Sequence, residues 1–517
     1  MNIIDVEVFN KLFASIAEEM GIVLARSAFS PNIKERRDFS CAIFDRKGEL
    51  VAQAAHIPVH LGAMPRTLVH ILEEHDLGPG DVVIANDPFK GGSHLPDITL
   101  AEAVCDENGS PLFYVVNRAH HADVGGKTPG SMGLSSSLAE EGVLIPPTLL
   151  HAKGKEQPFY REFLAQVRNP AEREGDLRAQ LAALGRGNHR LRELIAKYSA
   201  ARLFTVIDHL KGYAERLMRH TIKELKDGCY HFTDYLDDDG TSNAPIPISL
   251  QLTISNDQAT ADFSTSADQV KAPLNTVEPV TLSATIYAFQ CLMGEGFPVN
   301  HGSYRPIRLI TRKGSIVDAE PPAPVAAGNV ETSQRLVDVL FGALAQATPE
   351  RIPAASCGSM NNVAIGGDDP TSGHYAYYET IGGGMGARPG SDGLHGIHTH
   401  MTNTMNTPVE ALEHAYPLQV ERYGLARNSG GEGRQQGGDG IIRSYRFLAQ
   451  ANVSLLTERR RLRPYGLAGG KAGNVGENRL VRGKKTKKLP GKINLHTEAG
   501  DLLIIKTPGG GGWGKTD

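Results

Sequence analysis

Residues 86–126 contain His94, Asp97, His120, His121 and Asp123, five side chains able to bind a metal ion or move a proton. Imidazole nitrogen mixed with carboxylate oxygen suits Zn²⁺ or Mn²⁺ better than Mg²⁺ or Ca²⁺, which prefer all-oxygen shells. Segments 98–104 and 112–117 read as strands, and Asn108-Gly109 between them is a hairpin-turn signal. Pairing across a two-residue turn sets Asp97 opposite His120 and His94 opposite Asp123, with opposed Cα atoms about 4.5 to 5.5 Å apart. The open end of such a hairpin gathers ligands around one ion. His121 alternates to the other face from His120 and is expected to touch a ligand or substrate rather than the ion. Pro111, so close to the turn, can displace the register by a residue or two. The same residues also suit polar caps and turns, and spacing alone does not choose between the two readings.

Other candidates carry less. His395, His398 and His400 precede Asn403, Asn406, Glu410 and Glu413, and His398 and His400 would share one face of a strand, but no carboxylate has comparable spacing. They read as surface or interface histidines. Residues 509–516, GGGGWGKT, match the phosphate-loop pattern formally, yet a phosphate loop needs a helix after its Lys and only Asp517 follows. A glycine-rich turn is expected there. The glycines at 382–386 lack a full dinucleotide fingerprint, no GxSxG elbow occurs, and the five cysteines form no CxxC, so neither a thiolate zinc site nor a disulfide framework is expected.

These residues must be positioned by a mixed fold. Phe9, Leu12, Phe13, Ile16, Met20, Val23 and Leu24 recur at helical spacing behind a possible N-cap at Asp5. Strands are expected at 40–44 and 82–85 and a helix at 66–74, then a helical block at 160–226 broken at Gly185 and Gly187. Beyond it the chain is richer in glycine, with a strand at 248–254 and a helix at 330–347. The fold class is therefore α+β, with an N-terminal α/β region holding the metal-site hairpin and the helical block (1–228) and a glycine-rich mixed C-terminal region (229–517). With 54 Lys+Arg against 58 Asp+Glu, the chain is no globally basic nucleic-acid binder. The basic stretch 482–492 lacks interleaved aromatics and reads as a solvated loop. No signal peptide or membrane span is recognised, so a cytoplasmic protein beginning at Met1 is expected.

RSAFSPNIKERRDFSCAIFD (26–45), NDPFKGGSHLPDITL (86–100), NRAHHADVGG (117–126), AAGNVETSQR (326–335) and TPGGGGWG (507–514) resemble the hydantoinase B/5-oxoprolinase family, which includes acetone carboxylase and caprolactamase subunits. The resemblance spans nearly the whole chain. It implies a divalent metal, zinc or manganese, on Asp38, His94, Asp97 and His120. It also implies a hetero-oligomer with a hydantoinase A type subunit that binds ATP. The expected activity is ATP-dependent opening of a cyclic amide, 5-oxoproline or a hydantoin, with His121 or Asp123 passing a proton to the departing ring nitrogen. An acetone-carboxylase-like carboxylation shares the motifs, and a noncatalytic scaffold for the ATP-binding subunit is the third alternative.

Overall fold

The computed structural model describes residues 3–54, 56–294, 296–369 and 373–516. Its helices are α1 (Ile3–Ser27), α2 (Pro31–Lys34), α3 (His60–Glu74), α4 (Pro158–Leu164), α5 (Pro170–Tyr198), α6 (Ala200–Lys223), α7 (Glu278–Gln290), α8 (Ser333–Ala347) and α9 (Val409–Ala415). Strands β1 (Phe39–Asp45), β2 (Leu50–Gln53), β3 (Val82–Ala85), β4 (Asp97–Cys105), β5 (Pro111–His120), β6 (Thr148–Ala152) and β7 (Lys155–Glu156) form one antiparallel sheet in the order β2-β1-β5-β4-β3-β6-β7. Helices α1 and α5 pack on each other and on one face, and α3 covers the other. With both faces covered, β1 (FSCAIFD) alternates no polar positions toward water and is buried throughout.

In α1, Phe9, Phe13, Ile16, Met20 and Leu24 face the core, while Asp5 lies inside the first turn rather than capping it, where a carboxylate suits the helix dipole. The expected break at Gly185 and Gly187 does not occur, since α5 runs through both. A Cβ on Gly187 would stand 2.5 Å from Met20 Sδ and 2.9 Å from Val115 Cγ1, so close packing against α1 and the sheet outweighs the roughly 1 kcal/mol helix cost of glycine. The break falls at Ser199, whose φ of 64° separates α5 from α6.

The central hairpin β4–β5 pairs Asp97 with His120 and keeps that register as far as Val104 opposite Phe113. It then shifts, so that Cys105 faces Pro111. Asp106 closes the connection by accepting hydrogen bonds from the amides of Asn108 and Ser110. A longer loop with a bulge therefore replaces the tight two-residue turn, and the open end of the hairpin keeps its pairing.

Gly228 begins β8 (Gly228–Leu236), which joins β9 (Ile246–Ser255), β10 (Gln258–Asp262) and β11 (Ile307–Ile310) in a second sheet against α8. The remaining strands are β12 (Asn362–Asp369), β13 (Gly373–Glu379), β14 (Leu418–Ala426), β15 (Gly440–Phe447), β16 (Ala451–Leu456), β17 (Glu477–Arg482), β18 (Lys485–Leu489), β19 (Lys492–Thr497) and β20 (Leu502–Lys506). They form two sheets, β13-β12-β16-β19 and β14-β15-β20-β17-β18, around an apolar core that includes Ile365, Tyr377, Ile441 and Phe447. The basic stretch expected as a loop contributes edge strand β18, whose exposed Lys485, Lys487 and Lys488 discourage pairing with another chain. The largest apolar cluster runs from Val6 to Leu456 and crosses Gly228 without interruption. Among the described residues, no helix is long and apolar enough to cross a membrane.

The glycine-rich segments that follow β13 and β20 and precede β15 pack backbone on backbone. A Cβ at Gly510 would lie 2.1 Å from the Met385 carbonyl oxygen, and one at Gly384 1.9 Å from that of Gly438. The amides of Gly509, Gly510, Gly511, Gly512, Trp513 and Gly514 donate to the carbonyls of Asn474, Gly438, Ala355, Lys471, Gln435 and Leu467 respectively. No amide of this run is left to cradle a phosphate, so the apparent phosphate-loop match is a structural seam.

Candidate metal centre

The end row of three adjacent strands positions the site. Asp97 opens β4, His120 closes β5 directly opposite, and the His120 amide donates to the Asp38 carbonyl oxygen at 3.0 Å, just before β1. His94 comes from the turn leading into β4. His94 Nε2, His120 Nδ1 and Asp97 Oδ1 form a triangle with edges of 3.2, 3.3 and 3.3 Å. Ligand atoms of a tetrahedral ion with bonds of about 2.0 to 2.1 Å stand roughly 3.3 Å apart, so the triangle has the dimensions of one ligand face.

The protonation pattern fits the same reading. His94 Nδ1 lies 3.0 Å from the Ala326 carbonyl oxygen, which can only accept, so this nitrogen donates, and in the neutral form of the ring the Nε2 lone pair faces the cluster. Asn329 Nδ2 is 3.1 Å from that lone pair. Asp97 divides its oxygens: Oδ1 faces the two imidazoles, while Oδ2 accepts from Ser93 Oγ at 2.5 Å and meets His60 Nε2 at 3.2 Å. His60 Nδ1 is in turn 2.8 Å from Ser40 Oγ. The His120 ring stacks on Tyr378 with centroids 4.4 Å apart, and Asn32 Nδ2 donates to its carbonyl oxygen at 2.6 Å.

Burial pushes the Asp97 carboxyl up, but His94 and His60 reverse this and hold it well below the usual carboxylate range. Burial dominates at Asp38 and raises it despite His120 and the Arg36 guanidinium 3.8 Å away. His94 is raised because Asp97 overcomes the burial that would lower it, whereas burial wins at His120 and His60 and lowers both. Asp38, His60, Asp97, His120, Asn329 and Tyr378 all border a small cavity of about 20 Å³, space for one water molecule.

Of the residues expected from sequence, His94, Asp97 and His120 converge, and Asp38 borders the same cavity. The pairing of His94 with Asp123 does not form, because the ladder ends at Asp97 and His120 and the chain then turns away. Asp123 accepts from the amides of Gly125 and Gly130 and pairs with Arg168 Nη1 at 2.9 Å, so its carboxylate braces a loop. His121 points to the opposite face of β5, where Nε2 lies 2.9 Å from Gln180 Oε1, and burial lowers its pKa to about 4. Neither side chain borders the cavity. His398 and His400 lie in a loop rather than on a strand, and burial lowers each to about 4. His395 stays exposed and accepts from the Asp439 amide.

Sequence reasoning passes over His60, Asn329 and Tyr378. His60 lies far from the histidine cluster in sequence, and Asn329 sits in a π-helical turn, Gly328–Thr332, where the sequence predicts a helix beginning at Val330. The segment 326–335 carries part of the family resemblance, and its chemistry resides in that turn.

Known proteins share this architecture. Residues 2–516 match the family model described as hydantoinase B/oxoprolinase. An uncharacterized protein of Methanocaldococcus jannaschii is 42% identical over 100% of this chain and 91% of its own length. A 5-oxoprolinase of Arabidopsis thaliana is 39% identical over 99% of the chain, which spans only 42% of that longer protein. A Pseudomonas protein named as a putative B-type subunit of a D-/L-hydantoinase is 31% identical, covering 99% of this chain and 90% of its own length. The crystal structure of an ATP-dependent caprolactamase from Pseudomonas jessenii superposes with a TM-score of 0.92 at 27% identity, over 100% of this chain and 91% of that one. Matched across essentially its whole length, the chain belongs to the hydantoinase B/oxoprolinase family.

Proposed function

We propose that this chain is the B-type subunit of an ATP-dependent cyclic amidohydrolase that opens 5-oxoproline or a hydantoin, working with an ATP-binding partner of hydantoinase A type. The observation that carries the proposal is the triangle of His94 Nε2, His120 Nδ1 and Asp97 Oδ1. The names of the relatives support a cyclic amide, and the greater length of the plant 5-oxoprolinase supports a further ATP-handling part beyond the region shared with this chain.

Amide resonance makes a ring carbonyl a poor electrophile, and transfer of a phosphoryl group from ATP to its oxygen in the partner creates a leaving group. Asp38, His94, Asp97 and His120 would hold zinc or manganese, which when bound supplies Lewis acidity and lowers the pKa of water toward ~7. Ser93 and His60 fix the Asp97 carboxylate, and the Ala326 carbonyl fixes the His94 tautomer, so the donor set is organised before substrate arrives. His60, at the cavity wall and outside that donor set, is suited to take a proton from water and return it to the departing ring nitrogen. His121 and Asp123, expected in that role, instead brace the back of the hairpin and the following loop.

The test is ATP-dependent turnover by the copurified two-subunit complex, supplied with 5-oxoproline, hydantoin, caprolactam and acetone in parallel. Ring opening of a cyclic amide, lost on His94→Ala, supports the reading. Bicarbonate-dependent consumption of acetone alone would replace it with carboxylation.

A further inference from the structure

A cleft of about 580 Å³ opens beside the small metal-site cavity and lies within the usual size range of small-molecule sites. The wall between the two spaces is one residue thick in two separate segments. Pro58 lines the cleft while its neighbours Ile57 and Val59 line the cavity, and Thr402 lines both while Met401 lines the cavity. A space of about 20 Å³ cannot hold a five-membered ring, and the adjoining cleft can. Leu292, Phe341 and Ile352 give the cleft an apolar wall. Gln290 borders it, is more than nine-tenths buried, and its Nε2 has no hydrogen-bond partner among the described residues. A buried, unused amide donor is costly unless a ligand acceptor completes it. Arg388 borders the same cleft with an exposed side chain, and no ion pair engages it among the described residues. Arg351, by contrast, is already held by Glu224 at 3.0 Å.

We infer that this cleft is the ring-binding site of the chain, taking a small cyclic amide whose carbonyl oxygen accepts from Gln290 and whose ring rests on Leu292, Phe341 and Ile352, with Arg388 selecting a carboxylate substituent. The inference rests on the proposed amidohydrolase reading and sharpens it toward rings of the 5-oxoproline kind. Pro58 and Thr402 then set the bound ring directly beside the metal-site cavity that His60 borders.

The experiment is ligand-observed NMR on the purified full chain with 5-oxoproline and hydantoin as probes at millimolar concentration, with metal content measured on every preparation. Both probes should bind the unaltered chain. Ile352→Trp, which fills the cleft, should abolish both signals without changing metal content. Gln290→Leu should weaken both about 5-fold, the effect of one neutral hydrogen bond, and supplies a second route if Ile352→Trp fails to fold. Arg388→Gln should weaken 5-oxoproline at least ~10-fold, as expected for a charge-assisted contact, and leave hydantoin within about twofold. Absence of binding by either ring, or binding insensitive to both Ile352→Trp and Gln290→Leu, overturns the inference. Binding that follows these variants in a complex without ATP-dependent ring opening would instead refute the amidohydrolase reading and leave the cleft assignment standing.

Discussion

Two regions of this molecule are ordered by opposite means. At the end of the seven-stranded sheet, side chains hold one another: Asp97 is held by Ser93 and His60, and the His120 ring by Tyr378. In the glycine seam, backbones hold one another, with the run from Gly509 to Gly514 giving every amide to a carbonyl of another segment. The first arrangement tolerates side-chain replacement structurally and loses chemistry. The second has few side chains to lose and no room for new ones. The glycine-rich half nevertheless serves the site, since Met360, Tyr378, Thr380, Met401, Thr402 and Thr404 close the cavity against the strand ends.

The largest effect expected from this contrast lies in the seam. Gly510→Val places carbon within 2.1 Å of the Met385 carbonyl oxygen, which real contacts do not permit. Soluble, folded protein should be lost or its Tm lowered by many degrees, as soluble yield and thermal melting would show. A variant that melts like the parent would mean that the backbones can separate.

Next comes the pair of adjacent histidines. His120→Ala removes one corner of the ligand triangle and should eliminate both bound metal and turnover while leaving a folded chain. His121→Ala should retain its metal, because its ring faces Gln180 on the side away from the cavity, and should cost about 1 to 3 kcal/mol by leaving the buried Gln180 Oε1 without a donor, while Gln180 Nε2 keeps Ile98 and Asn117. Metal analysis and melting on the same preparations separate the two, and loss of metal in His121→Ala would contradict the register. His60→Ala should fall between them in metal content, with affinity reduced about 10- to 100-fold by loss of a brace on Asp97, and should lower turnover about 100-fold or more because the proton carrier at the cavity wall is gone.

The smallest effect is one of pH. Glu331 accepts from Asn362 Nδ2 at 2.7 Å and is pushed up to about 8 by burial and by Glu458. Between its ordinary value near 4.5 and about 8, the folded chain keeps a proton that the unfolded chain has lost, so this group's contribution to stability falls as pH rises through that window. Glu331→Gln should therefore raise the Tm relative to the parent at pH 8 more than at pH 5, by an amount corresponding to about 1 to 3 kcal/mol. Equal shifts at the two pH values would show that Glu331 is ionised in the folded chain.

Much of the candidate metal site was legible because its central pair is local. The hairpin brings Asp97 to His120 across a short connection, and alternation along β5 sends His121 the other way. Asp38 was legible only through the resemblance, since its place beside His120 depends on β1 pairing with β5, which no spacing rule encodes. His60, Asn329 and Tyr378 arrive from a helix start, a π-helical turn and a distant strand, and only tertiary packing unites them. The seam was visible as composition alone. Glycine density signals turns and close approach equally well, and only the backbone contacts distinguish the two. The helical block is legible but its continuity through Gly187 is not, because the glycine there answers to Met20 and Val115 rather than to its own helix.

The central claim is that Asp38, His94, Asp97 and His120 hold one divalent transition metal. Elemental analysis of carefully purified chain, set beside its His94→Ala and Asp97→Ala variants, tests it most directly. About one zinc or manganese ion per chain is expected in the parent, little in either variant, and chelator-sensitive turnover in the complex. Parent protein free of zinc, manganese, iron and cobalt, in a complex whose turnover withstands chelation, would contradict it.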